Sequence, residues 1–147
     1  MLVLIRIVSV LVIFIFLFNK LYAENIPIIV IAPSKKAQSL STVGTSVTVL
    51  DETFFKNSNE FFLGDALSSN TTSSNFFQSG GHGTSSAIQL RGLPKRYSTV
   101  YIDGVKMSDP SSVSNDFDFN NILTSQISRV EILKGNQSSV YGSGAIG

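Results

Sequence analysis

The chain contains no cysteine and only one histidine, and these two shortages remove several classes of protein at once. Without cysteine, an exported domain cannot rest on a disulfide scaffold, so its fold depends on apolar burial and backbone pairing. With His82 alone, no multi-histidine metal site can be assembled. Charge of one sign is also missing. Lys and Arg number 11 against 10 Asp and Glu, and no basic stripe is present to attract nucleic acid. The run Gly80-Gly81-His82-Gly83 resembles an oxyanion loop, but no G-x-S-x-G elbow accompanies it. Residues 142–147 spell G-x-G-x-x-G without the following helix and acidic residue that a dinucleotide loop needs. Asp116, Asp118 and Asn120 copy the start of a calcium loop, yet its sixth position is Asn121 instead of glycine and its twelfth is Ile127 instead of glutamate. That excludes an EF-hand and leaves at most a looser cation contact. No catalytic set, cofactor motif or defined metal site is found, and no enzymatic activity is expected.

What is present begins with a leader. Arg6 supplies a positive start, residues 7–18 are an almost unbroken apolar run, and Leu21-Tyr22-Ala23 offers a small residue for cleavage. An apolar core of about 7–15 residues fits a secretory signal, whereas a membrane-spanning helix needs roughly 20. Residues 1–23 are therefore expected to be a signal peptide and the remainder to be exported. The positive mean hydropathy of +0.24 mostly reflects this leader. Of the 11 basic residues, Arg6 and Lys20 fall within it, so the mature chain carries nine against ten acidic residues.

Residues 24–32 (ENIPIIVIA) form a short extended apolar stretch, and residues 33–45 are polar, small and aperiodic, as in a flexible linker. Two readings of the apolar stretch stand side by side. It is an edge strand of the domain, or a peptide offered to another protein's sheet edge. Residues 46–50 (SVTVL) alternate as a strand. Asp51 can cap a helical turn through Phe55. Asn57 and Glu60 have capping-box spacing, predicting a helix with Phe61, Phe62, Ala66 and Leu67 on its buried side and a polar loop over 68–74. A Gly/Ser-rich loop over 79–86 leads to a strand over 87–92, with Ile88 and Leu90 on one face. Residues 99–103 form another strand, and Asp103-Gly104 is the tight turn that returns the chain along 105–107. A long polar loop over 108–121, a helical turn in 122–127, a strand over 129–133 and a glycine-bearing close complete an α+β domain.

Four motifs then occur in order: LRG at 90–92, YIDGV at 101–105, SRVEILKG at 128–135 and SSVYGSGAIG at 138–147. Together they resemble the plug domain of TonB-dependent outer-membrane receptors, with the cobalamin-transporter branch a close likeness. The resemblance covers nearly all of residues 24–147. Asp65-Ala66-Leu67 matches the family's helix. Ile26, Pro27, Ile28, Ile29, Val30, Ile31 and Ala32 stand where the TonB box belongs. The chain departs from the pattern at Ser69-Asn70, where Pro-Gly is common, at Asn136, where Pro is usual, and at Pro27 and Ile31, where threonine is commoner.

The resemblance implies a small plug with a mixed β-sheet, short helices and long Gly-rich loops, divided as residues 1–23 (signal peptide), 24–45 (TonB box and linker) and 46–147 (plug). It implies Gly80, Gly81, His82, Gly83, Val113 and Ser114 as nutrient-facing. It makes Arg91, Gly92, Asp103, Gly104, Arg129, Glu131, Gly135, Tyr141 and Gly142 the plug motif, the charges pairing with barrel-wall or plug groups. The implied partners are the TonB energy-coupling protein, the receptor's own C-terminal β-barrel, and cobalamin or a ferric siderophore. The implied place is the outer membrane of a Gram-negative bacterium, or the periplasm if the plug exists alone. A plugged barrel uses about 22 strands of roughly 9–11 residues, on the order of 200 residues in strands. The chain is thus expected to be a fragment or truncated frame without its barrel. A secreted or surface-anchored ligand-binding module with no transport role is the alternative.

Overall fold

The computed structural model describes residues 1, 6, 26–112, 117–119 and 121–147. The expected signal peptide therefore lies almost wholly outside the described residues, as do Val113, Ser114 and, of the acidic loop, Asp116 and Asn120.

The α+β class is as expected. Among the described residues the strands form four separate two-stranded antiparallel pairs in place of one continuous sheet. β1 (Ile29–Val30) pairs with β2 (Gln38–Ser39), and β3 (Ser46–Leu50) pairs with β8 (Val130–Lys134). β4 (Ser74–Gln78) pairs with β5 (Ser86–Leu90), and β6 (Val100–Ile102) with β7 (Val105–Met107). Three short helices lie among residues 26–112, 117–119 and 121–147: α1 (Glu52–Asn57), α2 (Leu63–Asn70) and α3 (Ser138–Tyr141). Residues 33–45, expected as a linker, carry a turn, β2 and a 3-10 turn at Leu40–Thr42.

The alternation of residues 46–50 explains β3, and its register joins distant parts of the chain, Ser46 opposite Lys134 and Leu50 opposite Val130. Leu50 and Ile132 turn inward from this ladder onto Phe55, Leu63, Leu67, Ile88 and Phe119. Asp51 caps α1 as expected, its Oδ1 accepting the Phe54 N–H at 2.9 Å. In the β6–β7 hairpin, Asp103 (φ 49°) and Gly104 (φ 82°) both take positive φ. That is the type I′ geometry for which an Asp-Gly pair is suited.

Three local expectations are corrected. The Asn57–Glu60 capping box does not form. Phe62 is the N-cap of α2, and Phe61 is 80% exposed. Tertiary pairing overrides the local signal: the Thr124 N–H donates to the Phe61 carbonyl at 3.0 Å and the Leu63 N–H to the Ile122 carbonyl at 2.9 Å, holding Phe62 extended in a bridge with Leu123. Second, α2 continues through Ser69 and Asn70, which were expected as loop. Their side chains donate back to the Asp65 carbonyl at 2.8 Å and the Ala66 carbonyl at 3.0 Å, so polar residues extend the helix by one turn. Third, β4 was not foreseen, because Phe76 and Phe77 sit among Ser, Asn and Gln. Phe76 turns inward while Phe77 is exposed.

Candidate functional site

The site is built where the N-terminal strand meets β8. Ile28, just before β1, and Val30 within it direct their backbone groups toward β2, with the Leu40 N–H donating to the Ile28 carbonyl at 2.7 Å. An antiparallel ladder alternates, so the backbone groups of Ile29 and Ile31 face the opposite edge. Side chains of β8 and its approach meet that edge. The Glu131 carboxylate, through Oε2, accepts the Ile31 N–H at 2.9 Å and the Ala32 N–H at 2.8 Å. Its other oxygen accepts from Arg129 Nε at 2.9 Å, and Arg129 Nη2 donates to the Ile29 carbonyl. The Tyr141 hydroxyl donates to the Ala32 carbonyl.

Local structure places these groups. Val130 and Ile132 face inward from β8, so Arg129 and Glu131, two residues apart, share the outward face. Glu131 is largely enclosed, its side chain 10% exposed against 39% for Arg129. Tyr141, at the end of α3, packs against Tyr101 with ring centroids 4.9 Å apart. Lys35, in the turn between β1 and β2, lies over both rings, 5.0 Å from the Tyr141 centroid and 5.7 Å from that of Tyr101. Burial, and then the neighbouring Tyr101 and Glu131, hold the Tyr141 hydroxyl above the usual tyrosine range. Val30 is fully enclosed, whereas Ile26, Ile28 and Ile31 stay exposed. Chemically, the arrangement grips a peptide backbone; among the described residues no cluster of His, Asp and Glu could hold a metal.

The structure thus brings Arg129, Glu131 and Tyr141 together on the segment 26–32, and leaves the other expected site residues elsewhere. Gly80, Gly81, His82 and Gly83 form the exposed connection between β4 and β5, where the His82 ring stacks on Phe62 at 4.5 Å. Gln78 Nε2 and Thr84 Oγ1 donate to the Gly81 carbonyl at 2.6 and 2.8 Å and shape that loop. Arg91 and Gly92 turn the chain after β5, with the Arg91 N–H donating to the Ser73 carbonyl at 2.7 Å. Asp103 and Gly104 form the hairpin tip. Gly135 and Gly142 (φ 117° and 86°) bracket α3, and the Gly135 N–H donates to the Gly147 carbonyl at 2.6 Å. The G-x-G-x-x-G run follows α3 and bonds within the chain, the Ala145 N–H donating to the Gly142 carbonyl at 3.0 Å. Lys35 and Tyr101 were not foreseen as part of the site. No sequence spacing signals them, because a cation over two rings is assembled here from residues far apart in the chain.

The family match falls on the motif-bearing α+β core, and the N-terminal strand lies before it. Residues 39–147 match the TonB-dependent receptor plug domain, and the chain belongs to this family. Among its relatives, it is 30% identical over 118 residues to the vitamin B12 transporter BtuB of Vibrio vulnificus, covering 80% of this chain and 19% of that protein. It is 36% identical over 69 residues to the vitamin B12 transporter BtuB of Photobacterium profundum, covering 47% of this chain and 11% of that protein. The chain therefore spans under a fifth of either relative's length.

Proposed function

We propose that this chain is the plug portion of an outer-membrane active transporter, energised by TonB, that takes up a scarce nutrient complex. Cobalamin is the first substrate to test, since both relatives are vitamin B12 transporters by name; an iron chelate is the second. The observation that carries the reading is the segment 26–32. Residues 29–30 form a strand paired with β2, side chains of Arg129, Glu131 and Tyr141 hold the segment to the plug-family core, and Ile26, Ile28 and Ile31 are exposed.

In this reading residues 1–23 direct export, 24–45 contain the TonB box and its connection, and 46–147 fill the receptor's barrel. Nutrient meets Gly80, Gly81, His82 and Gly83 and the loop containing Val113 and Ser114. The energy-coupling protein adds residues 26–32 to its sheet edge, where main-chain hydrogen bonds supply affinity and alternate side chains supply specificity. The work is mechanical rearrangement, with no covalent step.

The test is Ile31→Pro in the full-length receptor, expressed in its own cells. Proline removes a main-chain donor from the edge of the segment that faces away from β2. Uptake of labelled cobalamin, or of a labelled iron chelate if cobalamin is not carried, is expected to fall to the level of cells lacking TonB. Undiminished uptake with normal receptor abundance sinks the assignment of this segment.

A further inference from the structure

A strand offered to a partner must present a row of unpaired N–H and C=O groups along one edge. In this chain both edges of the N-terminal strand are occupied. One is taken by β2, through the pairing of Ile29 with Ser39 and Val30 with Gln38. The other carries the main-chain groups of Ile29 and Ile31, and side chains take one from each, the Ile29 carbonyl and the Ile31 N–H. Arg129 donates to the Ile29 carbonyl, and Glu131 accepts the Ile31 and Ala32 N–H groups.

We propose that Arg129 and Glu131 are a side-chain latch that closes the outer edge of residues 29–32, so that a partner strand can add there only after the latch is displaced. This deepens the function proposed above and rests on residues 26–32 being the partner-binding segment. It assigns to two motif charges the role of masking this chain's own strand.

The geometry gives the latch a shared failure point. Glu131 uses one oxygen for the two backbone N–H groups and the other for Arg129 Nε at 2.9 Å. Drawing this one carboxylate away frees Ile31 and Ala32 and releases Arg129, whose remaining hold is on the Ile29 carbonyl. The low exposure of Glu131 strengthens these contacts, because charge-assisted hydrogen bonds sheltered from water are the strong kind. The partner that fits the unmasked edge is an extended strand from a sheet with a free edge. Its hydrogen bonds to the Ile29 carbonyl and the Ile31 N–H would replace two of the three that the latch makes to this backbone.

The experiment uses the full-length receptor in outer-membrane preparations, without added nutrient, and reads two quantities. The first is amide hydrogen exchange at Ile31 and Ala32. The second is capture of the purified periplasmic domain of the TonB protein from the same bacterium. Glu131→Ala is expected to speed exchange at both amides at least about tenfold, the scale of losing a charge-assisted hydrogen bond, and to raise capture. Protection of the β3–β8 amides is the folding control. Should Glu131→Ala lose that protection, Arg129→Gln, at the more exposed of the two positions, carries the test with a rise in the same direction. Unchanged exchange and capture in a variant that keeps β3–β8 protection overturns the latch. Ile31→Pro in the capture assay separates the two ideas, because it removes a donor from the edge at which the partner adds. If it leaves capture intact, the segment is not where the partner binds and the function proposed above fails on its own account, while the exchange readout still judges the latch.

Discussion

Gly64 shows how narrowly a single position can be set. It lies in the first turn of α2, and a Cβ built there would stand 2.2 Å from Cε2 of Phe76 and 2.4 Å from its Cζ. The ring belongs to the core and cannot swing away freely, so Gly64→Ala overpacks the α2–β4 contact. A cost of about 1–3 kcal/mol is expected. For a domain of this size that lowers Tm by roughly 4–8 °C per kcal/mol, to be read from a thermal melt followed by circular dichroism. Phe76→Leu should recover part of the loss in the double variant, as expected if the ring is the obstacle.

Tyr141 gives a pH dependence with a definite sign. Its hydroxyl donates to the Ala32 carbonyl, and burial with Tyr101 and Glu131 nearby holds its ionisation above the ordinary 10.0. A folded value raised above the unfolded one means that the stabilisation is fully present below about 10 and is lost as pH rises through the folded value. Denaturant midpoints for the wild type should therefore lead those of Tyr141→Phe up to about pH 9 and converge with them by strongly alkaline pH. A difference that stays constant across that range would rule out this donor as its source.

At the scale of elements, Asp118 and Phe119 are pinned by one serine. Asp118 Oδ1 accepts from the Ser86 N–H at 3.0 Å and the Ser86 hydroxyl at 2.7 Å, while Ser86 Oγ accepts the Phe119 N–H at 3.1 Å. This places Phe119 in the core against Phe117, with ring centroids 4.9 Å apart. Ser86→Ala leaves the Phe119 N–H without this partner and is expected to cost about 1–3 kcal/mol. Exchange at the Phe119 amide should rise more than exchange across β4–β5. The sequence marked Ser86 only as the end of a glycine-rich loop, because its partner lies 32 positions away. Elements whose cause is local were readable beforehand: β3 from its β-branched alternation, the cap at Asp51, the Asp103-Gly104 turn. Those set by a distant partner were not. Phe62 is extended because Leu123 pairs with it, and β1 needs β2.

For the whole molecule, ordered motifs made the family legible, since LRG, YIDGV, SRVEILKG and SSVYGSGAIG retain their order and spacing within the span that matches the plug domain. The site was legible only in halves. The segment 26–32 stood out by composition, and Arg129, Glu131 and Tyr141 by motif. That the second set holds the first follows from a fold in which residues about 100 positions apart meet. The same fold joins Ser46 to Lys134 and Leu50 to Val130 in an antiparallel ladder of five pairs. Its two chain exits toward the termini, before Ser46 and after Lys134, therefore emerge at the same end. Tension applied between them does not load five pairs together in shear. It opens the ladder as a zipper, Ser46 from Lys134 first and Leu50 from Val130 last, so the core parts stepwise under a small force and can close again in the reverse order.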